Sequence, residues 1–213
     1  KLEQGTTPSY NNYCDIDRLL QTGTHIAAGF DKNTDKVPMM ALGAKHGNVC
    51  GASIGGDPQE VVKKMLEGDL RAIFGGVVLI NFPLTEEIAE LLLTHEVLNG
   101  RRLLDVVLAP SVNDTAREML QRKKDKCRLL TNEALGSLDK NSLDVSYRNR
   151  YVRGGALMQD NYTYVLDLKD PDLFNSGELP AISEVHVEPE YGYAARIKYN
   201  NGAVHYFKGG PGV

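Results

Sequence analysis

Cysteine is scarce in this chain, and so are charge of one sign and long apolar runs. The three cysteines, Cys14, Cys50 and Cys127, stand far apart with no Cys-x-x-Cys pair. An odd, widely spaced set builds neither a disulfide framework nor a structural zinc site, and it suits a reducing, cytoplasmic compartment. With 24 Lys+Arg against 28 Asp+Glu the net charge is −4, so no basic excess exists to neutralise a phosphate backbone and nucleic acid is a poor partner. No stretch approaches the ~18 consecutive apolar residues of a membrane-crossing helix, and Lys1-Leu2-Glu3-Gln4-Gly5 carries no apolar signal-peptide core. Walker-type, Gly-x-Gly-x-x-Gly, His-Glu-x-x-His and Gly-x-Ser-x-Gly patterns are missing, and His25, His95, His186 and His205 stand in no metal-ligand spacing. No repeat or low-complexity segment is visible. The chain opens on Lys1 rather than Met, as a piece of a longer protein would.

What is present suffices for a core. A hydrophobic fraction of 42% with 24% charged residues is ordinary for a soluble globular chain. Its 213 residues correspond to one large domain or two small ones at roughly 150 residues per domain. Disorder and disulfide dependence are therefore disfavoured.

Along the chain, Thr6 to Asp15 reads as an ordered loop, and Asp15 as the N-cap of a short helix carrying Ile16, Leu19 and Leu20. Gly29 to Lys36 reads as a polar turn. The apolar run Val37 to Leu42 has strand length and ends at Gly43-Ala44-Lys45-His46-Gly47. Asp57-Pro58 starts a helix with a Val61, Val62, Met65, Leu66 stripe. Val77 to Ile80 and Leu103 to Ala109 read as strands buried on both faces. Between them Thr85 opens a helix to Leu98, with Glu86 and Glu87 in the first turn where the helix dipole favours them. Asn113 or Asp114 caps a helix to about Lys124, and Cys127 to Leu130 is a further short strand. This alternation predicts an α/β fold, a sheet with parallel members and helices packed on it. The tail differs. Tyr162 to Leu166 is strand-rich, Arg196 to Phe207 predicts a hairpin around Asn201-Gly202, and Gly209 to Gly212 reads as a flexible end.

Chemistry concentrates in Lys45-His46-Gly47-Asn48-Val49-Cys50-Gly51, at the C-terminal end of a predicted strand. Ligands of open α/β sheets bind beyond strand C-termini, and an adjacent Lys and His offer a fixed cation and a base. The commoner reading of such a pair is a solvated lysine and an ordinary loop histidine. Cys50 has the type of a nucleophile but more often such a residue is buried filler. Phe74-Gly75-Gly76 leads into a strand; the glycines let a ligand ring lie on the backbone, or, the favoured reading, they make a tight turn. Asp105 starts a strand; facing the interior it needs a partner or a ligand, and at the rim it needs neither.

Several segments, in order, resemble the formyltransferase part of the bifunctional family that joins 5-aminoimidazole-4-carboxamide ribonucleotide (AICAR) transformylase to IMP cyclohydrolase. Ser9-Tyr10-Asn11-Asn12-Tyr13-Cys14-Asp15 resembles its SYNN-x-x-D loop, and Lys45-His46-Gly47-Asn48-Val49-Cys50-Gly51 its KH-x-N-P-C-G segment. Ala72-Ile73-Phe74-Gly75-Gly76 resembles SAFGG, Asp105-Val106-Val107-Leu108-Ala109-Pro110 an E/D-V-I-I-A-P strand, and Gly154-Gly155-Ala156-Leu157-Met158-Gln159-Asp160 a GG-x-L-x-Q-D segment. Five colinear matches are specific together, though none is alone.

The resemblance implies a three-layer α/β/α cytidine-deaminase-like domain with a mixed sheet and without the deaminase zinc, over residues 1–168, with a C-terminal extension carrying the hairpin over 169–213. It implies formyl transfer from 10-formyltetrahydrofolate, as co-substrate, to the 5-amino group of AICAR, in the cytoplasm. Carried onto matching positions, His46 assists proton removal from the attacking amine and Lys45 stabilises charge on the formyl oxygen or positions substrate. Asn12 hydrogen-bonds the AICAR heterocycle, and Phe74, Gly75 and Asp105 line the pocket. Departures qualify this. Val49 replaces the family's Pro, and the phosphate-holding Arg-Tyr-Gly segment, expected before Lys1, is not in the sequence. The second deaminase-like half is missing too, so the chain carries at most half of a site that the family completes across a homodimer. The alternative is a non-catalytic relative that binds a ligand or assembles with a partner. Zinc-dependent deamination is disfavoured, because His186-Val187-Glu188 is followed by no cysteine.

Overall fold

The computed structural model describes residues 1–170, 182–188, 194–199 and 201–208. The chain divides into two compact units, Lys1–Leu166 and Asp167–Val213. In the first, the elements run β1 (Leu2–Gln4), α1 (Tyr10–Thr34), β2 (Met39–Lys45), β3 (Asn48–Gly55), α2 (Pro58–Gly68), β4 (Val77–Ile80), α3 (Glu86–Thr94), β5 (Val106–Ala109), α4 (Asp114–Met119), β6 (Arg128–Thr131), β7 (Arg148–Val152) and β8 (Gly155–Gln159). Six strands form one mixed sheet in the order β1-β6-β5-β4-β2-β3. β4, β5 and β6 are parallel, while β2 runs antiparallel to both β4 and β3, and β1 antiparallel to β6.

Alternation along the central strands sorts side chains onto the two faces. Met40, Leu42, Ala44, Val77, Leu79, Val106 and Leu108 pack with Ile16, Leu19 and Ala27 of α1. Ala41, Val78, Ile80, Val107 and Ala109 pack with Val61 and Met65 of α2, Ile88 and Leu92 of α3 and Ala116 of α4. Each buried Leu or Ile contributes roughly 1.5–3 kcal/mol of transfer free energy to that packing. Asp57 and Asn113 cap α2 and α4 through their side chains, as their residue types dictate. Buried Arg102 closes the other end of α3, donating to the carbonyls of Leu92 at 2.9 Å and His95 at 2.6 Å. Burial pushes its guanidinium below the ordinary value.

Four sequence readings are corrected. Thr6–Asp15 is not a loop before a short helix: Ser9 caps a helix of 25 residues, and Asp15 lies inside it, 7% exposed. The supposed turn at Gly29–Lys36 is that helix's last stretch as far as Thr34, and the chain turns only at the left-handed Asp35 that caps it. The tract 162–166 is not a strand; it runs along α1, where His25 meets the Tyr162 carbonyl at 3.0 Å and Asn33 donates to that of Leu166 at 2.9 Å. The helix expected to reach Lys124 stops at Met119, and Lys124 takes a left-handed φ of 62°.

In the second unit, β9 (Ile182–Glu188), β10 (Ala194–Tyr199) and β11 (Val204–Lys208) form an antiparallel sheet with β10 central. The hairpin expected around Asn201-Gly202 is there, with Arg196 opposite Tyr206. Gly209–Gly212 lies outside the described residues. Among the described residues, no helix is long and apolar enough to cross a membrane.

Candidate active site

The Lys45–Asn48 segment is a two-residue hairpin turn. Lys45 and Asn48 pair across it, and His46 and Gly47 both take positive φ, 55° and 78°, the combination that matches the twist of the flanking strands. Glycine adopts it freely; histidine does so at a cost, so the surroundings must hold it. They do so from α1. The Asp15 carboxylate accepts the Gly47 N–H at 2.6 Å, and the Arg18 guanidinium donates to the Gly47 carbonyl at 3.1 Å. Residues one helical turn apart thus grip Gly47, the residue after His46, by both its N–H and its carbonyl.

Beyond the turn β3 carries a bulge. Gly43 faces Gly51 and Ala44 faces Val49, so Cys50 is the extra residue. Gly51 is required there, because a Cβ would lie 2.1 Å from the Met65 carbonyl oxygen of α2. Burial pushes the Cys50 thiol up from its ordinary value, so it stays a neutral thiol at pH 7 and packs as filler.

Lys45, half-buried, donates from Nζ to the Phe74 carbonyl at 2.5 Å. One of its three N–H donors is therefore spent and two remain. Phe74 is 49% exposed. Gly75 makes a left-handed turn with φ 72° and donates to the Leu103 carbonyl at 2.6 Å, so the tight-turn reading of Phe74-Gly75-Gly76 holds. Asp105 sits at the rim. Its N–H donates to the Gly76 carbonyl at 2.9 Å, and its carboxylate accepts from Arg122 at 3.1 Å. Asn12, 7% exposed, is the third residue of α1; its side-chain oxygen accepts the Ser9 N–H at 3.1 Å while its own N–H donates to Ser9 Oγ at 3.2 Å. That capping box commits the amide oxygen and leaves the amide NH₂ for other work.

Lys45, Phe74, Gly75 and Asp105 therefore follow one another along a single sheet edge, with Asn12 opening the helix that fastens the turn. His46 is exposed and its ring makes no hydrogen bond among the described residues. None of the six lines a described cavity. A hollow of about 380 Å³ lies beside the turn, between Gly47 and Tyr13, Cys14, Asp17 and Arg18. The edge is not the one expected. Because β2 is antiparallel to β4, its C-terminal end falls at the N-terminal edge of the parallel strands, opposite the crevice that the parallel-sheet rule designates. Asp15 and Arg18 were not read as site residues; the Ser9-x-x-Asn12 spacing, a capping-box signature, signalled the longer helix that presents them. Among the described residues, no group of three His, Cys, Asp or Glu is placed to hold a metal ion.

Fold and edge together define a mixed α/β protein that offers a lysine–histidine turn beside a Phe-Gly-Gly loop. Comparison gives the family. The family model described as AICARFT/IMPCHase bienzyme matches residues 1–185, and the chain belongs to that family. The bifunctional purine biosynthesis protein PurH of Anoxybacillus flavithermus is 37% identical over 163 residues, 76% of this chain and 27% of that protein. The PurH of Prochlorococcus marinus is 33% identical over 158 residues, 74% of this chain and 28% of the relative. That of Staphylococcus carnosus is 33% identical over 174 residues, 82% and 30%. The chain thus spans under a third of the length of these curated relatives. A solved structure of Acinetobacter baumannii RibD overlaps 59% of this chain and 38% of its own with a TM-score of 0.37 and 11% identity, a likeness too slight to argue from.

Proposed function

We propose that this chain supplies half of a composite formyltransferase site in purine biosynthesis, moving the formyl group of 10-formyltetrahydrofolate to the 5-amino group of AICAR. The observation that carries the reading is the Lys45–His46 turn, gripped by Asp15 and Arg18 and joined through Lys45 to the Phe74 carbonyl. The amine of AICAR is a weak nucleophile, its lone pair delocalised toward the carboxamide. Attack forms a bond from the amino nitrogen to the formyl carbon and sends the carbonyl electron pair to oxygen. The two free donors of Lys45 suit that oxyanion, and the exposed His46 ring suits the amine proton. Collapse breaks the bond to the folate N10, which takes a proton as it leaves. Asn12 through its amide NH₂, the Phe74-Gly75 backbone and Asp105 would seat the heterocycle.

We also assign the sheet, with α1 on one face and α2, α3 and α4 on the other, to the layered cytidine-deaminase-like class. The solvent-facing His46 fits a cavity completed by further protein, either a second copy of this chain in a cytoplasmic homodimer or another polypeptide. Turnover of 10-formyltetrahydrofolate that depends on AICAR and rises more than linearly with protein concentration is the expected result. Consumption of neither compound at high protein concentration, with Lys45→Ala indistinguishable from the parent in AICAR binding, would remove the reading. A second reading, a relative that binds without turnover, draws on the engagement of the Lys45 ammonium by Phe74. Calorimetric nucleotide binding without product would favour it.

A further inference from the structure

On the face of the sheet that carries α1, a hollow of about 500 Å³ opens between that helix and the chain after β6. None of the six candidate residues lines it, and its size is that of a small-molecule site. The floor is apolar: Leu135 is 2% exposed, and Leu20 and Leu138 pack against the same buried cluster. The rim is charged. There the Arg148 guanidinium and the Asp17 carboxylate stand 3.7 Å apart, with 41% and 72% of their side chains exposed, neighbours too distant for a charge-assisted hydrogen bond. Asp144, a second acid in the lining, accepts from the Ser146 N–H at 3.0 Å and from Asn161 at 3.1 Å. The Ser146 hydrogen bonds hold its carboxyl below the ordinary value. The amide oxygens of Gln21 and Asn132 are committed, to Arg18 at 2.8 Å and to the Ala134 N–H at 3.2 Å, which leaves the NH₂ group of each as a donor in the lining. The wall is already fastened to α1, because the His25 ring meets the Tyr162 carbonyl at 3.0 Å and stacks on the Tyr162 ring with centroids 5.5 Å apart.

We propose that this hollow binds a free α-amino acid with an apolar side chain, held as its zwitterion. Such a ligand carries its carboxylate and its ammonium on one carbon, so the groups that recognise them must themselves be neighbours, as Arg148 and Asp17 are. The guanidinium fork matches the carboxylate bidentately, the Gln21 and Asn132 NH₂ groups add donors on the same side of the exchange, and Asp17 takes the ammonium. The apolar side chain leaves water for the floor of Leu20, Leu135 and Leu138. A simple anion would face Asp17 and Asp144 without relief, and a simple cation would face Arg148. The zwitterion satisfies both signs, and it displaces only a long, weak ion pair.

Calorimetry on the whole chain with L-phenylalanine, phenethylamine, 3-phenylpropionate and glycine tests this. The first three share a ring; phenethylamine lacks the carboxylate, 3-phenylpropionate lacks the ammonium, and glycine has both charges without the side chain. L-phenylalanine binds about tenfold tighter than each of the other three. Arg148→Gln brings L-phenylalanine down to the level of phenethylamine, and Asp17→Asn brings it down to that of 3-phenylpropionate. Both side chains are well exposed, so neither change disturbs the core, and the ligand series on the parent chain stands without them. Equal affinity for L-phenylalanine and any of its three analogues, a preference that survives both substitutions, or no binding of L-phenylalanine at millimolar concentration overturns the proposal. The result does not depend on whether the chain transfers a formyl group.

Discussion

Two antiparallel hairpins in this chain share a local design and differ in what covers them. The β2–β3 hairpin turns through His46-Gly47 and the β7–β8 hairpin through Arg153-Gly154, each with glycine at positive φ. The interior of β2 is buried from Met40 to Ala44, because α1 closes one face and α2 the other. Every residue of β8 is exposed, as are four of the five in β7. Tyr151 stands 88% and Met158 67% open to solvent. A lone two-stranded hairpin is marginal in water. The first hairpin has burial and a helix-borne grip that fix one turn geometry, and the second has strand pairing and a long ion pair from Arg148 to Asp17 at 3.7 Å. Packing, then, rather than turn chemistry, fixes the geometry of the Lys45-His46 segment.

The same substitution in each hairpin gives the largest contrast. Leu42→Ala empties a fully buried position and is expected to cost about 2–5 kcal/mol, whereas Leu157→Ala, 61% exposed, stays within about 0.5 kcal/mol; urea unfolding reads both. Next is the grip on the turn. Asp15→Ala leaves the Gly47 N–H without its carboxylate and is expected to cost about 1–3 kcal/mol, with faster amide exchange at Gly47 than at Gly154. Burial pushes the Cys127 thiol up to about 12 from 9.0. The unfolded thiol ionises first as pH rises, so the contribution to stability is level below pH 9 and falls by about 1.4 kcal/mol per unit from there to about pH 12. Cys127→Ala removes that slope. The smallest effect is Arg148→Ala, within about 0.5 kcal/mol because both partners of its ion pair are well exposed.

The central strands were legible because residues buried on both faces leave continuous apolar runs, as at Val77–Ile80. Helix α2 was legible from Asp57-Pro58 and its stripe. The full length of α1 was not, since the polar stretch from Gly29 looks like a turn and a glycine, Gly23, interrupts the helix. Gly23 instead serves the packing, as a Cβ there would lie 3.3 Å from the Leu42 side chain. β3 escaped notice because the Cys50 bulge and Gly51 break its alternation. Tyr162–Leu166 has a strand's composition, yet the carbonyls of Tyr162, Val165 and Leu166 are taken up by side chains of α1, and among the described residues no strand pairs with it. At the site, Lys45 and His46 stood out by type and adjacency. Their supports, Asp15 and Arg18, could not, because a grip between residues 32 and 29 positions from their target depends on how α1 lies against β2.

The most direct test compares AICAR-dependent loss of the formyl group from 10-formyltetrahydrofolate in the parent chain, in His46→Ala and in Lys63→Ala on the outer face of α2. Turnover by the parent, a fall of roughly 10²–10³ for His46→Ala and no change for Lys63→Ala is the expected result. Turnover that His46→Ala leaves intact would contradict the assignment of the reaction to this turn.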